Sequence, residues 1–174
     1  ISVVKPYSGS TVIAKNVGQT VITISNGYET VNVDVEVDLF IEPTFEFGCN
    51  PGYITSLYGS PYAIKTEDDA MRYIYTGKYG YSWACGQMDF LFDEEDKYIE
   101  AQVYIREGLD LLLGNYINSN FNPLDTITIY NTIMEDSVAC YRYRNKEDQS
   151  IIMGKYYSGD QWNETFLFYG KVSD

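Results

Sequence analysis

Residues 98–117 read Tyr98-Ile99-Glu100-Ala101-Gln102-Val103-Tyr104-Ile105-Arg106-Glu107-Gly108-Leu109-Asp110-Leu111-Leu112-Leu113-Gly114-Asn115-Tyr116-Ile117. Within this stretch the apolar period changes from two to about 3.6. Ile99, Ala101, Val103 and Ile105 alternate with Tyr98, Glu100, Gln102 and Tyr104, the pattern of a half-buried strand. Leu109, Leu112, Leu113, Tyr116 and Ile117 then recur at helical spacing, so an amphipathic helix starts near Gly108 and stops at Asn118-Ser119-Asn120 and Pro123. A strand that hands its chain directly to such a helix implies a sheet carrying helices.

Working outward, Asn50 is a good N-cap and Pro51 suits the first helical position. Tyr53, Ile54, Leu57 and Tyr58 keep helical spacing up to Gly59, which gives a short first helix. Strands are expected at 70–76, 86–92 and 97–105, and after the second helix at 126–134, 137–145, 150–157 and 163–169. The acidic run Asp93-Glu94-Glu95-Asp96 lacks the spacing of a calcium loop and falls where a hairpin turn is required. Glu67-Asp68-Asp69 reads as a loop before a strand. Short turns such as Glu135-Asp136 and Ser158-Gly159-Asp160 make neighbouring strands antiparallel. The order of helix, three strands, helix, then three or four strands is an internal duplication at the level of structure, without a residue-by-residue repeat. The expected α+β architecture is one curved antiparallel sheet with two short helices on one face and tyrosines on the other.

Residues 1–38 have a different character, with nine Val and no Phe, Trp or Cys. Val21, Thr23 and Ser25 alternate with Ile22 and Ile24, Asn26-Gly27 supplies a hairpin turn, and Val31, Val33, Val35 and Val37 alternate with Asn32, Asp34 and Glu36. A shorter strand, Thr11-Val12-Ile13-Ala14, precedes them. The expected division is a β piece over 1–38, a linker over 39–44 and an α+β domain over 45–174.

The run from Gly9 to Ile24, with the hairpin and Val33-Asp34-Val35-Glu36-Val37 after it, resembles the C-terminal half of a group 2 bacterial immunoglobulin-like domain. The pattern departs from that family in a first Gly one residue early and in Ile24 where the family ends on Val. The resemblance implies a β-sandwich fragment and export from the bacterial cytoplasm. Three strands without a facing sheet leave an apolar side wet, so either further N-terminal strands are expected outside this stretch or the hairpin docks on the next domain. In the second piece, Phe47-Gly48-Cys49-Asn50-Pro51 with Ile54 and Gly59, the hairpin from Met88-Asp89-Phe90-Leu91-Phe92 to Tyr98-Ile99-Glu100-Ala101, and the Leu-rich helix resemble the beta-lactamase-inhibitor-protein-like fold of small exported bacterial lipoproteins. That resemblance carries over no inhibitory or catalytic residue.

Composition excludes several functions. With 12 Lys+Arg against 25 Asp+Glu the chain has a net charge of −13, which would repel a phosphate backbone, so no nucleic-acid partner is expected. The absence of His removes Ser-His-Asp and Cys-His catalysis and His-ligated zinc. No nucleophile elbow, phosphate loop or dinucleotide fingerprint occurs, and no cofactor, metal or enzymatic activity is expected, a hydrolase using carboxylates alone being the least favoured alternative. The three Cys at 49, 85 and 140 permit at most one internal disulfide, Cys49 with Cys85 being the favoured pair, or else three thiols buried as small apolar residues. No apolar run is long enough to span a membrane. The stretch shows no leader-type segment, and any signal or lipid-anchor sequence is expected to lie outside it.

The 18 Tyr and 2 Trp make the aromatic set the strongest candidate for recognition, because Tyr offers large contact area at low entropic cost. Tyr98, Gln102, Tyr104 and Tyr130 are expected on one outward face, with Trp83 and Trp162 as stacking platforms. Asn163-Glu164-Thr165 fits an N-glycosylation acceptor but reads as strand, whereas Asp125-Thr126-Ile127 and Asp136-Ser137-Val138 resemble bacterial O-glycosylation sites. The expected function is an exported, cell-envelope binding module for a protein, with a carbohydrate-binding component of a glycan-uptake system as the rival reading.

Overall fold

A computed structural model describes residues 2–4, 11–13, 17–67, 70–77, 84–131, 134–157 and 165–172. Two small ladders come first: β1 (Ser2–Val4) pairs with β2 (Thr11–Ile13), and β3 (Gly18–Ser25) with β4 (Thr30–Val37). Asn26 N–H donates to the Glu29 carbonyl at 3.2 Å, so the central turn residues are Gly27 and Tyr28, one position later than expected. Only Gly27, at φ 91°, takes the left-handed conformation, while Asn26 Oδ1 accepts the amides of Tyr28 and Glu29. Register sets Ile22 opposite Val33 and Ile24 opposite Val31, which gathers the apolar residues on one face. Side-chain hydrogen bonds from Gln19 to Glu36 and from Thr23 to Asn32 lace the other.

The remainder is built on one antiparallel sheet. α1 (Pro51–Tyr58) is followed by β5 (Ala63–Glu67), β6 (Ala70–Thr76), β7 (Cys85–Phe92) and β8 (Tyr98–Ile105). α2 (Asp110–Asn120) is followed by β9 (Phe121–Asn131), β10 (Asp136–Asn145), β11 (Ile151–Tyr157) and β12 (Thr165–Lys171). The strand order is β5-β6-β7-β8-β12-β11-β10-β9. Each helix thus opens a four-strand meander, and the two meanders join back to back through their last strands, β8 and β12.

One strand, β5, and the early start of another, β9, depart from expectation. β5 is short and polar, and it lies at the sheet edge with Ile64 exposed. β9 begins at Phe121 with no turn after α2, and its Pro123 is tolerated because an edge strand has a side with no ladder to serve. Lys146 Nζ donates to the Asn118 and Ser119 carbonyls at 2.6 and 3.1 Å, meeting acceptors that the end of α2 leaves open.

Both helices pack on the same side. Asn50 caps α1 by accepting the Tyr53 amide at 3.0 Å, Ile54 is buried, and the Tyr58 ring lies 4.8 Å from Phe90. From α2, Leu113 and Ile117 are buried, and the hydroxyls of Tyr116 and Tyr169 stand 3.2 Å apart. Cross-strand pairing of Phe90 with Ala101, and of Ala101 with Tyr169, puts these contacts on one sheet face. Residues 39–44 are not a free linker. Leu39, Phe40 and Pro43 are buried, Phe40 meets the Tyr116 ring at 5.0 Å, and Tyr58 Oη accepts the Thr44 amide and donates to the Glu42 carbonyl. The core of the large sheet and its two helices therefore takes in Leu39 and Phe40 as well. No disulfide joins Cys49 to Cys85, or either of them to Cys140.

Candidate functional site

The second sheet face carries the polar chemistry. Among the described residues no helix or strand packs over it. Register lays its side chains out in rows that cross the strands. One row runs Asn122, Arg144, Ile152, Gly170, Glu100, Leu91, Arg72 and Lys65, from β9 to β5. The next runs Asp125, Arg142, Gly154, Phe168, Gln102, Asp89, Ile74 and Ala63. A third contains Tyr156, Phe166, Tyr104 and Gln87.

Asp89 anchors the first half of this face and is wholly buried. Its carboxylate accepts Gln87 Nε2 at 2.9 and 3.0 Å and the Tyr104 hydroxyl at 3.2 Å, and it meets Arg72 at 3.4 Å. Gln102 Nε2 donates to Glu100 at 2.7 Å and continues the chain of hydrogen bonds. Burial raises the pKa of Asp89, and the bonds from Gln87, Arg72 and Tyr104 only partly offset it. Glu100 is raised for the same reason, against the pull of Gln102 and Arg72. Tyr104 is pushed up by burial and by the Asp89 carboxylate, and it stays a neutral donor at physiological pH.

The second half of the face is aromatic. Tyr104 packs edge-on against Phe166 at 4.3 Å, and Tyr156 stacks on Phe166 at 5.2 Å. A Cβ placed on Gly154 would fall 2.0 Å from the Phe168 ring, so only glycine lets that ring lie across the strand. Beside it opens a groove of about 300 Å³, lined by Ile127, Ile152, Phe168, Gly170, Glu100 and Arg142, with Lys171 and Val172. Arg142 is held by Asp125, with Nε donating to the carboxylate at 2.7 Å. The half-buried Arg142 beside the exposed Asp125 lowers the Asp125 pKa.

Of the residues expected to form the binding face, Gln102 and Tyr104 lie on it. Tyr98 does not. Phe92 pairs with Tyr98 while Leu91 pairs with Glu100, so Ile99 is an extra residue that turns Tyr98 into the core. There Tyr98 stacks on Phe47 at 4.7 Å, and its hydroxyl donates to the Thr44 carbonyl. Tyr130 is exposed but occupies the helix-bearing face near the β9 edge, because its row partner Ser137 shares the side of Tyr141, Lys155 and Leu167. Tyr73 and Tyr75 also point into the core. Trp83 and Trp162 lie outside the described residues, as do the N-glycosylation acceptor Asn163 and the Gly77-to-Gly80 turn beyond Gly77.

Sequence reasoning missed Asp89, Arg142, Arg144, Phe168 and Gly170. The available signal was Gly154 and Gly170 inside strand patterns, which marks a place where something approaches the backbone closely. The acidic run is the expected turn: Asp93 Oδ1 accepts the amides of Glu95 and Lys97, and Asp96 takes φ 58°. Among the described residues no group of three or more Cys, Asp or Glu stands where it would hold a metal ion, and no helix is long and apolar enough to cross a membrane. Comparison of the chain with protein-family models, with curated proteins and with solved structures finds no match.

Proposed function

We propose that this is an exported bacterial cell-envelope protein whose α+β part is a non-enzymatic binding module. It recognises a protein partner through the open sheet face. The hairpin is read as part of an immunoglobulin-like sandwich, and the curved sheet with its two helices as a beta-lactamase-inhibitor-protein-like domain. The observation that carries the reading is the make-up of the open face. Three of the four Arg in the chain, Arg72, Arg142 and Arg144, stand there with Tyr104, Tyr156, Phe166, Phe168, Gln87 and Gln102. Arg and aromatic side chains dominate the energetics of protein interfaces. On a chain with a net charge of −13, their collection on one uncovered face favours recognition over solvation.

The test is a screen of the purified protein against arrays of bacterial and host surface proteins and of glycans. It is repeated with Gln102→Ala/Tyr104→Ala and with Tyr130→Ala on the other face. Binding to a protein that the double variant loses and Tyr130→Ala keeps is the expected result. Binding that the double variant keeps would refute the choice of face, and hits confined to glycans would refute the choice of partner class.

A further inference from the structure

The groove beside Phe168 exists because two glycines act differently. Gly154 is required by the ring above it, whereas a Cβ on Gly170 would meet nothing nearer than the Ile99 carbonyl oxygen at 4.0 Å. The Gly170 backbone is not in the left-handed region either. Neither packing nor conformation demands glycine there, and its bare backbone leaves the hollow open. Ile127, Ile152, Phe168 and Val172 give the hollow its apolar surface, beside the charged Glu100, Arg142 and Lys171.

Two places along the row from Gly170, past Ile152, stands Arg144. Its Nε is shut away from water and meets no acceptor. A buried donor left without an acceptor is costly, and the cost is larger when the group is charged. The other two guanidiniums of the face have carboxylates of their own, Arg72 with Asp89 and Arg142 with Asp125. Arg144 has no carboxylate partner among the described residues.

We propose that the groove over Gly170 is the docking site for a peptide segment of the partner protein. The segment seats an apolar side chain against Phe168, Ile152 and Ile127 and sets a carboxylate on Arg144. The proposal deepens the reading of the open face as the binding surface and rests on it. Two strand spacings of about 4.8 Å separate Gly170 from Arg144, a span that about three residues of extended peptide cover. Charge complementarity favours this occupant: Ile127, Ile152 and Phe168 offer an apolar side chain a seat, and the unpaired guanidinium selects Asp, Glu or a chain-terminal carboxylate.

The experiment is selection of random linear peptides displayed on phage against the intact protein. Affinities of the enriched peptides are then measured on Gly170→Leu, Arg144→Gln, Gln102→Ala/Tyr104→Ala and Tyr130→Ala proteins, each checked for native melting behaviour. Gly170→Val replaces Gly170→Leu if the larger side chain prevents folding. Enriched peptides are expected to carry an apolar residue and a carboxylate within about three positions of each other. Gly170→Leu and Arg144→Gln should each weaken binding by roughly tenfold or more, and Tyr130→Ala should leave it unchanged. Peptides indifferent to Gly170→Leu and Arg144→Gln but lost in the Gln102→Ala/Tyr104→Ala protein would overturn the groove and leave the face standing. Peptides indifferent to every open-face variant would overturn both, and a selection that enriches nothing would overturn the groove.

Discussion

The β3–β4 hairpin and the β7–β8 pair arise from the same alternation of apolar and polar residues, and they end in opposite states. In β7 and β8 the apolar members Met88, Phe90, Ala101 and Val103 are wholly buried beneath α1 and the strap from Leu39. In the hairpin Ile24 and Val31 are each 58% exposed, although register gathers them on one face with Ile22, Val33 and Val35. Alternation therefore decides which side chains share a face, while coverage depends on an element elsewhere in the chain. The same lesson holds across the large sheet, whose helix side is a core and whose open side must bury Asp89 with its own neighbours.

The largest effect should come from removing a ring at the covered face. Phe90→Ala is expected to cost about 3–5 kcal/mol in chemical denaturation, because Tyr58, Tyr75 and Tyr98 all pack on that ring. A cost near that of a surface substitution would mean that the helix side is not the core.

Next in size is Asp89 on the open side. Asp89→Ala should cost about 2 kcal/mol, less than a fully buried pair would lose, because the Arg72 side chain remains 34% exposed and can turn to water. The sign of its pH dependence follows from burial. With its folded pKa above the ordinary 3.8, Asp89 contributes stability that is complete below that value and lost as pH rises through the raised one. The stability of the unsubstituted protein minus that of Asp89→Asn should accordingly shrink as pH rises above 3.8. A difference that grows over the same range in parallel denaturation series would contradict the assignment.

Gly154→Ala should cost about 1–3 kcal/mol by driving the Phe168 ring off the strand, whereas Gly170→Ala should be near neutral. Thermal melts of the two proteins would separate a glycine demanded by packing from one that only leaves space. The smallest effect is expected in the hairpin. Ile24→Thr and Val31→Thr should each change the unfolding free energy by less than about 0.5 kcal/mol, since their side chains are already wet. Losses above about 1 kcal/mol would show that something covers this face in solution.

Much of the fold was legible because its signals are local. Asn50 with Pro51, the Leu109-to-Ile117 stripe and the alternation in 97–105 each fix an element through its own residues. β5 and the start of β9 were not, because edge strands pair on one side only and need neither long apolar runs nor freedom from Pro123. The linker over 39–44 was misread because a short apolar strap has no period. The site was half legible. Gln102 and Tyr104 follow from alternation, but the extra residue at Ile99 reverses Tyr98, and a bulge leaves no mark in a period-two pattern. The rows that bring Arg144 and Gly170 onto one face with Asp89 depend on the β8–β12 register, which joins segments far apart in sequence.

The most direct test of the open face as a recognition surface is amide chemical-shift mapping of the isotope-labelled protein with the strongest protein hit from the array screen. Saturable shifts at Gln102, Tyr104, Ile152, Phe168 and Gly170, with Tyr130, Tyr141, Ile24 and Val31 unmoved, are expected. Shifts centred on Tyr130 and Tyr141 or on the hairpin, with the open face silent, would contradict it.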